Sequence, residues 1–139
     1  MKYWDSSALV ALVVDEPRSA ERRATIRRDP AIVTWWGSRI ECASALNRLE
    51  RDNRFESDGF DRSLDQLGLL AGSWIEIEPL EQVRRRAIRL LRLHRLRAAD
   101  ALQLAAALAA SGEDPRRLDL VSSDDRLSAA ARREGFTVL

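Results

Sequence analysis

The stretch Lys2-Tyr3-Trp4-Asp5-Ser6-Ser7, followed by the apolar run Ala8 to Val14, predicts a strand, a turn and a helix in immediate succession. Tyr3 and Trp4 favour a strand, and serines are among the residue types that cap helix N-termini. Asp5 therefore stands at the carboxyl end of the first strand. In an open α/β sheet, ligands bind in the crevice outside the carboxyl ends of the strands, which makes Asp5 a candidate site residue.

Outward from this stretch, short β-like runs alternate with longer helical runs. Further strands are predicted at residues 31–34, 74–77, 118–122 and 136–139, with helices between them. Strands that alternate with helices imply crossover connections, and therefore a parallel sheet with helices on both faces. The sequence thus predicts one α/β domain over residues 1–139, with no internal repeat or linker.

The composition suits a globular domain and excludes several classes of protein. A chain of 139 residues that is 45% hydrophobic is long enough to bury a sizeable core. The formal net charge is only +1, so any interaction with nucleic acid must depend on local charge. The single cysteine, Cys42, excludes an internal disulfide and a cysteine-rich zinc site. We expect no signal peptide, no membrane span and a cytoplasmic location.

Several acidic residues follow predicted strands or open predicted helices, which would bring them to the same rim of the sheet. Asp5 ends the first strand and Asp124 follows the fourth, while Glu41 and Asp100 lie in the first turns of helices. The helix dipole stabilises an acid in a first turn by about 0.3–1 kcal/mol, which by itself explains Glu41 or Asp124 equally well. Asp100 differs, because its alanine and leucine neighbours predict burial, and a buried carboxylate needs a partner or a cation.

Carboxylates that lie close together cannot all stay ionised near neutral pH without a counter-charge. Mg²⁺ or Mn²⁺ would supply it, because these cations prefer oxygen ligands. Such a site suits phosphodiester hydrolysis, since one metal acidifies a bound water and a second can stabilise the leaving oxygen. The protein would contribute positioning and charge neutralisation rather than covalent catalysis.

These acids lie in segments that resemble the PIN-domain family, in its bacterial VapC toxin branch. The segments are Tyr3-Trp4-Asp5-Ser6-Ser7-Ala8-Leu9, Glu41 after the second strand, Ala99-Asp100-Ala101-Leu102-Gln103-Leu104-Ala105, and Val121-Ser122-Ser123-Asp124. The resemblance implies a three-layer α/β/α sandwich with a five-stranded parallel sheet in the strand order 3-2-1-4-5. It also implies a Mg²⁺- or Mn²⁺-dependent endoribonuclease whose catalytic, metal-binding quartet falls on Asp5, Glu41, Asp100 and Asp124.

The resemblance further places hydroxyl groups at Ser6 and Ser122, either of which could hold a metal-bound water. Asp124 and Asp125 compete for the fourth acidic role. We favour Asp124 because Leu127, three positions later, matches the family's pattern, whereas Asp125 is expected to face solvent or the helix start.

The resemblance also implies partners for the chain. These are an RNA substrate, a VapB-type antitoxin protein and a second copy of the chain in a homodimer, with no membrane partner. The antitoxin helix would lie in a groove formed by the helices between Ser6 and Gly72.

Other functional classes fit the sequence less well. A receiver-like signalling domain needs a lysine after its last strand, but the sole lysine is Lys2. A phosphatase with an Asp-x-Asp nucleophile motif is excluded because Asp5 is followed by Ser6-Ser7. The main alternative is a non-catalytic PIN fold that binds RNA or acts as a scaffold, and the intact acids argue against it.

A few conspicuous residues have a structural interpretation beside the functional one. His94 is better explained as a packed or capping histidine than as a metal ligand. Trp35 and Trp36 are expected in the core or at an interface, where they could stack on bases. The arginines between Arg84 and Arg97 face either RNA phosphates or solvent.

Overall fold

The computed structural model describes residues 1–139 and has strands that alternate with helices. The strands are β1 (Lys2–Trp4), β2 (Ile32–Trp35), β3 (Ile75–Ile77) and β4 (Leu120–Val121). The helices are α1 (Ser6–Val13), α2 (Ser19–Arg28), α3 (Ser38–Arg51), α4 (Gly59–Ala71), α5 (Glu81–Leu93), α6 (Ala98–Ala110) and α7 (Asp125–Arg133), with a short 3-10 helix at Pro115–Arg117. No helix combines the length and the apolar composition that a bilayer crossing requires.

The sheet has four parallel strands in the order β3-β2-β1-β4. The predicted α/β class and the order of these strands are confirmed, but the prediction of a five-stranded sheet is wrong. The segment after Gly135 makes only an isolated parallel bridge, between Leu120 and Val138. This segment nevertheless lies beside β4, where the fifth strand is predicted, because backbone N–H groups donate from Leu120 to Thr137, from Leu139 to Leu120 and from Ser122 to Leu139.

Helices cover both faces of the sheet. Neighbouring residues of a strand point to opposite faces, so each face carries apolar side chains that the helices bury. Tyr3 belongs to a core cluster that contains residues of α5, α6 and α7, whereas Trp4 belongs to a second cluster that contains residues of α1, α3 and α4. The result is three layers, helices on sheet on helices, as the sequence predicts. All four strands are parallel, so their carboxyl ends meet at one edge of the sheet.

Candidate active site at the carboxyl edge of the sheet

Asp5 leaves the central strand β1 and is only 3% exposed. Its carboxylate accepts hydrogen bonds from the backbone N–H groups of Ser7 and Ala8, each at 3.2 Å, and from the Ser7 hydroxyl at 2.9 Å. Asp5, rather than one of the serines, is thus the N-cap of α1, because its carboxylate can accept from two unpaired helix N–H groups at once. Burial raises the pKa of Asp5 to about 6, although these hydrogen bonds oppose the rise.

Glu41, in the first turn of α3, faces the same edge and is half-buried. The Ser6 hydroxyl donates to Glu41 Oε2 at 2.7 Å, and Gln103 Nε2 donates to the same oxygen at 3.0 Å. Burial raises the pKa of Glu41, the two hydrogen bonds lower it, and the nearby charge of Asp100 raises it further. The structure therefore links Glu41 to the turn after β1 and to the field of Asp100.

Gln103 is a residue of this site that the sequence did not single out. Besides its bond to Glu41, its amide donates to the Ser38 hydroxyl at 2.9 Å and accepts from the Tyr3 hydroxyl at 2.7 Å. Gln103 is 2% exposed, and it connects β1, α3 and α6 beneath the acids. The sequence feature that could have indicated Gln103 is its polar side chain on a helix that otherwise consists of alanine, leucine and Asp100.

Asp100 lies in the first turn of α6 and is half-buried, not buried as its neighbours predict. The middle of α6 is buried, but its first residues, Ala98 and Ala99, are exposed because this turn extends past the packed layer. The backbone N–H of Arg97 donates to Asp100 Oδ2 at 3.2 Å. The structure thus brings Asp100 close enough to influence the charge of Glu41 while leaving it partly open to solvent.

Asp124 is the N-cap of α7, where its carboxylate accepts from the Leu127 N–H at 2.8 Å. Its own N–H donates to the Ser122 hydroxyl at 3.0 Å, and that hydroxyl also lowers the pKa of Asp5. Asp125 points outward, with a side chain that is 89% exposed and paired with Arg18 at 2.8 Å. Asp124 is therefore connected to Asp5 through the Ser122 hydroxyl, and its role as the fourth acid stays a prediction.

Arg22 on α2 is a second residue that the sequence did not single out. Its guanidinium, only 2% exposed, donates to the Ser122 carbonyl at 2.7 Å and to the Ser123 hydroxyl at 3.3 Å. The Ser123 N–H in turn donates to the Ser7 hydroxyl, which donates to Asp5. Arg22 thus fixes the turn before α7 against Asp5, and its place in an arginine-rich helix hid this role in the sequence.

The other conspicuous residues lie outside the acidic group. His94 Nε2 is 2.6 Å from Glu134 Oε1, so this histidine packs against α7 and not against the acids. Trp35 is buried and packs edge to face on Trp36, which is 48% exposed just beyond the end of β2. Cys42 is a small buried core residue.

The donor chemistry of the edge fits a divalent cation. Asp5 and Glu41 offer carboxylate oxygens, the ligands that Mg²⁺ and Mn²⁺ prefer, and their raised pKa values show that the fold resists their negative charge. No three acidic, histidine or cysteine side chains lie close enough together to hold a metal ion between them. A cation at this edge would therefore require small side-chain adjustments or water ligands, which Mg²⁺ usually retains.

A cavity of about 530 Å³ lies away from these acids. Residues at the end of α1 and the start of α4 line it, among them Val13, Val14 and Ser63. We place the candidate site at the acidic edge despite this, because a single nucleic-acid strand binds along an open groove and needs no enclosed cavity.

Comparison with known proteins agrees with this fold. The chain is similar to a solved structure, the crystal structure of PAE2754 from Pyrobaculum aerophilum, with 26% sequence identity and a TM-score of 0.63 over 99% of this chain and 90% of that chain. No curated protein is a significant match.

A family model described as the PIN domain matches residues 2–133. PIN domains are generally nucleases that act on RNA or DNA, and they typically use a divalent metal ion. Because the match covers nearly the whole chain and the fold agrees with it, the chain belongs to the PIN domain family.

Proposed function

We propose that this PIN domain is a metal-dependent endoribonuclease and the toxin component of a VapBC-type toxin–antitoxin pair. The observation that carries the proposal is the buried carboxylate of Asp5, whose pKa is raised to about 6 at the carboxyl end of the central strand. Glu41, with its pKa also raised, is tied to the same turn through Ser6. Strained carboxylates gathered at one edge are typical of a functional site.

In the proposed reaction the acids hold the metal ion, and neighbouring polar groups orient the acids. Asp5, Glu41 and Asp100, with Asp124 as the fourth acid, would hold Mg²⁺ or Mn²⁺. When bound, the cation would make a coordinated water more acidic and offset the charge of the scissile phosphate. Hydrogen bonds keep these carboxylates oriented. The Ser7 hydroxyl donates to Asp5, while the Ser6 hydroxyl and the Gln103 amide donate to Glu41.

Cleavage of total RNA by the purified protein, in Mg²⁺, in Mn²⁺ and in EDTA, tests the proposal. We expect cleavage with either metal and none in EDTA. Asp100→Asn should lower the rate by about 100-fold or more, as expected when a charge-stabilising group of a site is lost. Asp125→Asn is the matched control, because it removes the same charge from an exposed neighbour of the site and should leave cleavage unchanged.

Mapping of the cleaved ends would identify the target, and a DNA strand of the same sequence would show whether cleavage is restricted to RNA. The nuclease proposal fails if EDTA has no effect or if Asp100→Asn cleaves as fast as the unmodified chain. If the unmodified chain binds RNA without cleaving it, and Asp5→Asn leaves any growth inhibition unchanged, the non-catalytic RNA-binding alternative is correct.

The toxin role and its partners rest on the resemblance of the sequence to the VapC branch. Two apolar side chains within the proposed antitoxin-binding region, Ile40 at 63% and Leu69 at 79%, are exposed and available for contact. Induced expression of the chain in bacteria should arrest growth, and expression of Asp100→Asn should not. We expect a homodimer in size-exclusion chromatography. A stable, non-toxic protein that purifies without any partner would contradict the toxin proposal.

A further inference from the structure

Four arginines follow one another within nine residues, on the C-terminal half of α5 and on the connection to α6. They are Arg89, Arg92, Arg95 and Arg97, called here the arginine track, and all four are exposed. The ion pairs of this region use other arginines, since Arg84 and Arg85 pair with Glu81, and Arg86 pairs with Glu113. The arginine track takes part in no ion pair of the structure.

The packing of α5 explains why the track faces outward. Val83, Ala87 and Leu90 are buried on one side of the helix, and Arg89 and Arg92 project from another side. Residues three apart in a helix are neighbours, about 4.5 Å apart along the axis, so these two positive charges repel each other. The free protein thus carries a cluster of like charge that an anionic partner would relieve.

Helix stability by itself does not account for the cluster. A cation in the last turn of a helix interacts favourably with the dipole, which explains Arg92. Arg95 and Arg97 lie beyond the end of α5 and obtain no such benefit. The net charge of the whole chain is only +1, so this is a local concentration and not a generally basic surface.

The track leads along the chain directly to the candidate site. Arg97 precedes α6, and its backbone N–H contacts the carboxylate of Asp100 at 3.2 Å. A polyanion held by the track would therefore be delivered to the acidic edge. Guanidinium groups suit this purpose, because each can bind phosphate oxygens in a bidentate manner.

We propose that the arginine track binds the sugar–phosphate backbone of single-stranded RNA and guides it to the acidic edge. This inference rests on the proposed function, because it names the surface by which the substrate of that site is held. RNA is favoured over an acidic protein partner because the track ends at Asp100, where a phosphodiester has to be placed.

Binding of a fluorescently labelled single-stranded RNA, measured in EDTA at several salt concentrations, separates the track from the chemistry. The variant Arg89→Ala/Arg92→Ala removes two charges from the track. The control Arg48→Ala/Arg51→Ala removes two exposed, unpaired arginines from the end of α3 that lies away from Glu41. Circular dichroism and thermal melting would check that both variants fold.

We expect the track variant to bind RNA roughly tenfold more weakly, with a salt slope that is smaller by about 1.4, because each phosphate contact to a single strand contributes about 0.7. The control should match the unmodified chain. Equal affinity and slope in the track variant, or equal losses in both variants, would overturn the inference.

Two further outcomes separate this inference from the proposed function. If the chain binds RNA through the track but never cleaves it with Mg²⁺ or Mn²⁺, the nuclease proposal fails and the inference holds. If the track variant keeps its RNA affinity but loses binding to poly-glutamate, the track docks an acidic protein and the inference is overturned.

Discussion

At the scale of single residues, Asp5 has two tasks that act on its carboxylate in opposite directions. As the N-cap of α1 it accepts hydrogen bonds that favour the ionised form, and as the most buried acid of the site it loses the water that would solvate its charge. Burial prevails, so the fold holds a carboxylate that would be more stable neutral.

This balance predicts how Asp5→Asn changes stability with pH. Because the pKa of Asp5 is about 6 when folded and near 3.8 when unfolded, the folded chain binds more protons between these values, and its stability falls as pH rises through that window. The penalty is complete above pH 6 and absent below the unfolded pKa. Asparagine caps the helix without ionising. The free energy of unfolding of the variant, minus that of the unmodified chain, should therefore be higher at pH 7 than at low pH by on the order of 2–3 kcal/mol.

Urea denaturation in EDTA at a series of pH values from acid to neutral would measure the difference. EDTA keeps divalent cations from offsetting the charge. A stability difference between the two proteins that does not change with pH would show that Asp5 is not strained.

Gln103 offers a second prediction at this scale. Gln103→Leu keeps the volume but leaves the buried Tyr3 hydroxyl without a partner and the Ser38 hydroxyl with only its bond to Thr34, so the free energy of unfolding should fall by about 1–3 kcal/mol. Gln82→Leu, on the exposed face of α5, is the control and should change it little. The comparison is made by urea denaturation, and equal values for both variants would exclude the proposed role of Gln103.

At the scale of elements, the site depends on how α2 meets the turn between β4 and α7. No strand or helix pairing joins these segments, and the guanidinium of Arg22 makes the connection by its bonds to Ser122 and Ser123. The same turn carries Asp124. Loss of Arg22 should therefore loosen both the packing of α2 and the position of Asp124.

We expect Arg22→Ala to lower the free energy of unfolding by about 2–4 kcal/mol, because it removes buried packing and charged hydrogen bonds. RNA cleavage should also fall at temperatures where the variant is folded. Arg27→Ala, exposed on the same helix, serves as the control and should be nearly neutral. If the two variants melt at the same temperature, Arg22 does not hold this turn.

The elements also show where sequence patterns are informative. The sequence predicts helices between its strands, and the structure has helices there, because a helix is set by contacts between near neighbours in the chain. The last predicted strand is wrong as a strand but right in place, because residues after Gly135 bond to β4 through backbone groups and form only an isolated bridge. Whether such a segment becomes a regular strand depends on its partner and not on its own pattern.

At the scale of the whole molecule, the carboxylates of the acidic edge lower the stability of the folded chain, and a bound cation should raise it again. A ligand that binds only the folded state at 100 times its dissociation constant stabilises it by about 2.7 kcal/mol. Mg²⁺ or Mn²⁺ should therefore raise the melting temperature by several degrees at pH 7. The increase should be smaller at pH 5, because Asp5 is then largely protonated and must release its proton to bind metal.

Thermal melting with and without MgCl₂ tests this, with NaCl of equal ionic strength as the control. Asp125→Asn should retain the full increase and Asp5→Asn should lose most of it. An unchanged melting temperature at pH 7, or the same increase at both pH values, would show that the edge does not bind the cation through Asp5.

Spacing and residue types along the chain predict the α/β class, the alternation of strands with helices and the position of Asp5 at the carboxyl end of the first strand, whereas the strand order came from the resemblance to the PIN-domain family. The class and the alternation follow from local periodicity and from the rules for connections between parallel strands. The folded structure was needed to show that Asp5 caps its helix, that Asp100 stays partly exposed, and that Gln103 and Arg22 support the acids. The contacts of Gln103 and Arg22 join residues dozens of positions apart in the chain. Such pairs depend on how the whole chain packs, and a local sequence pattern does not indicate them.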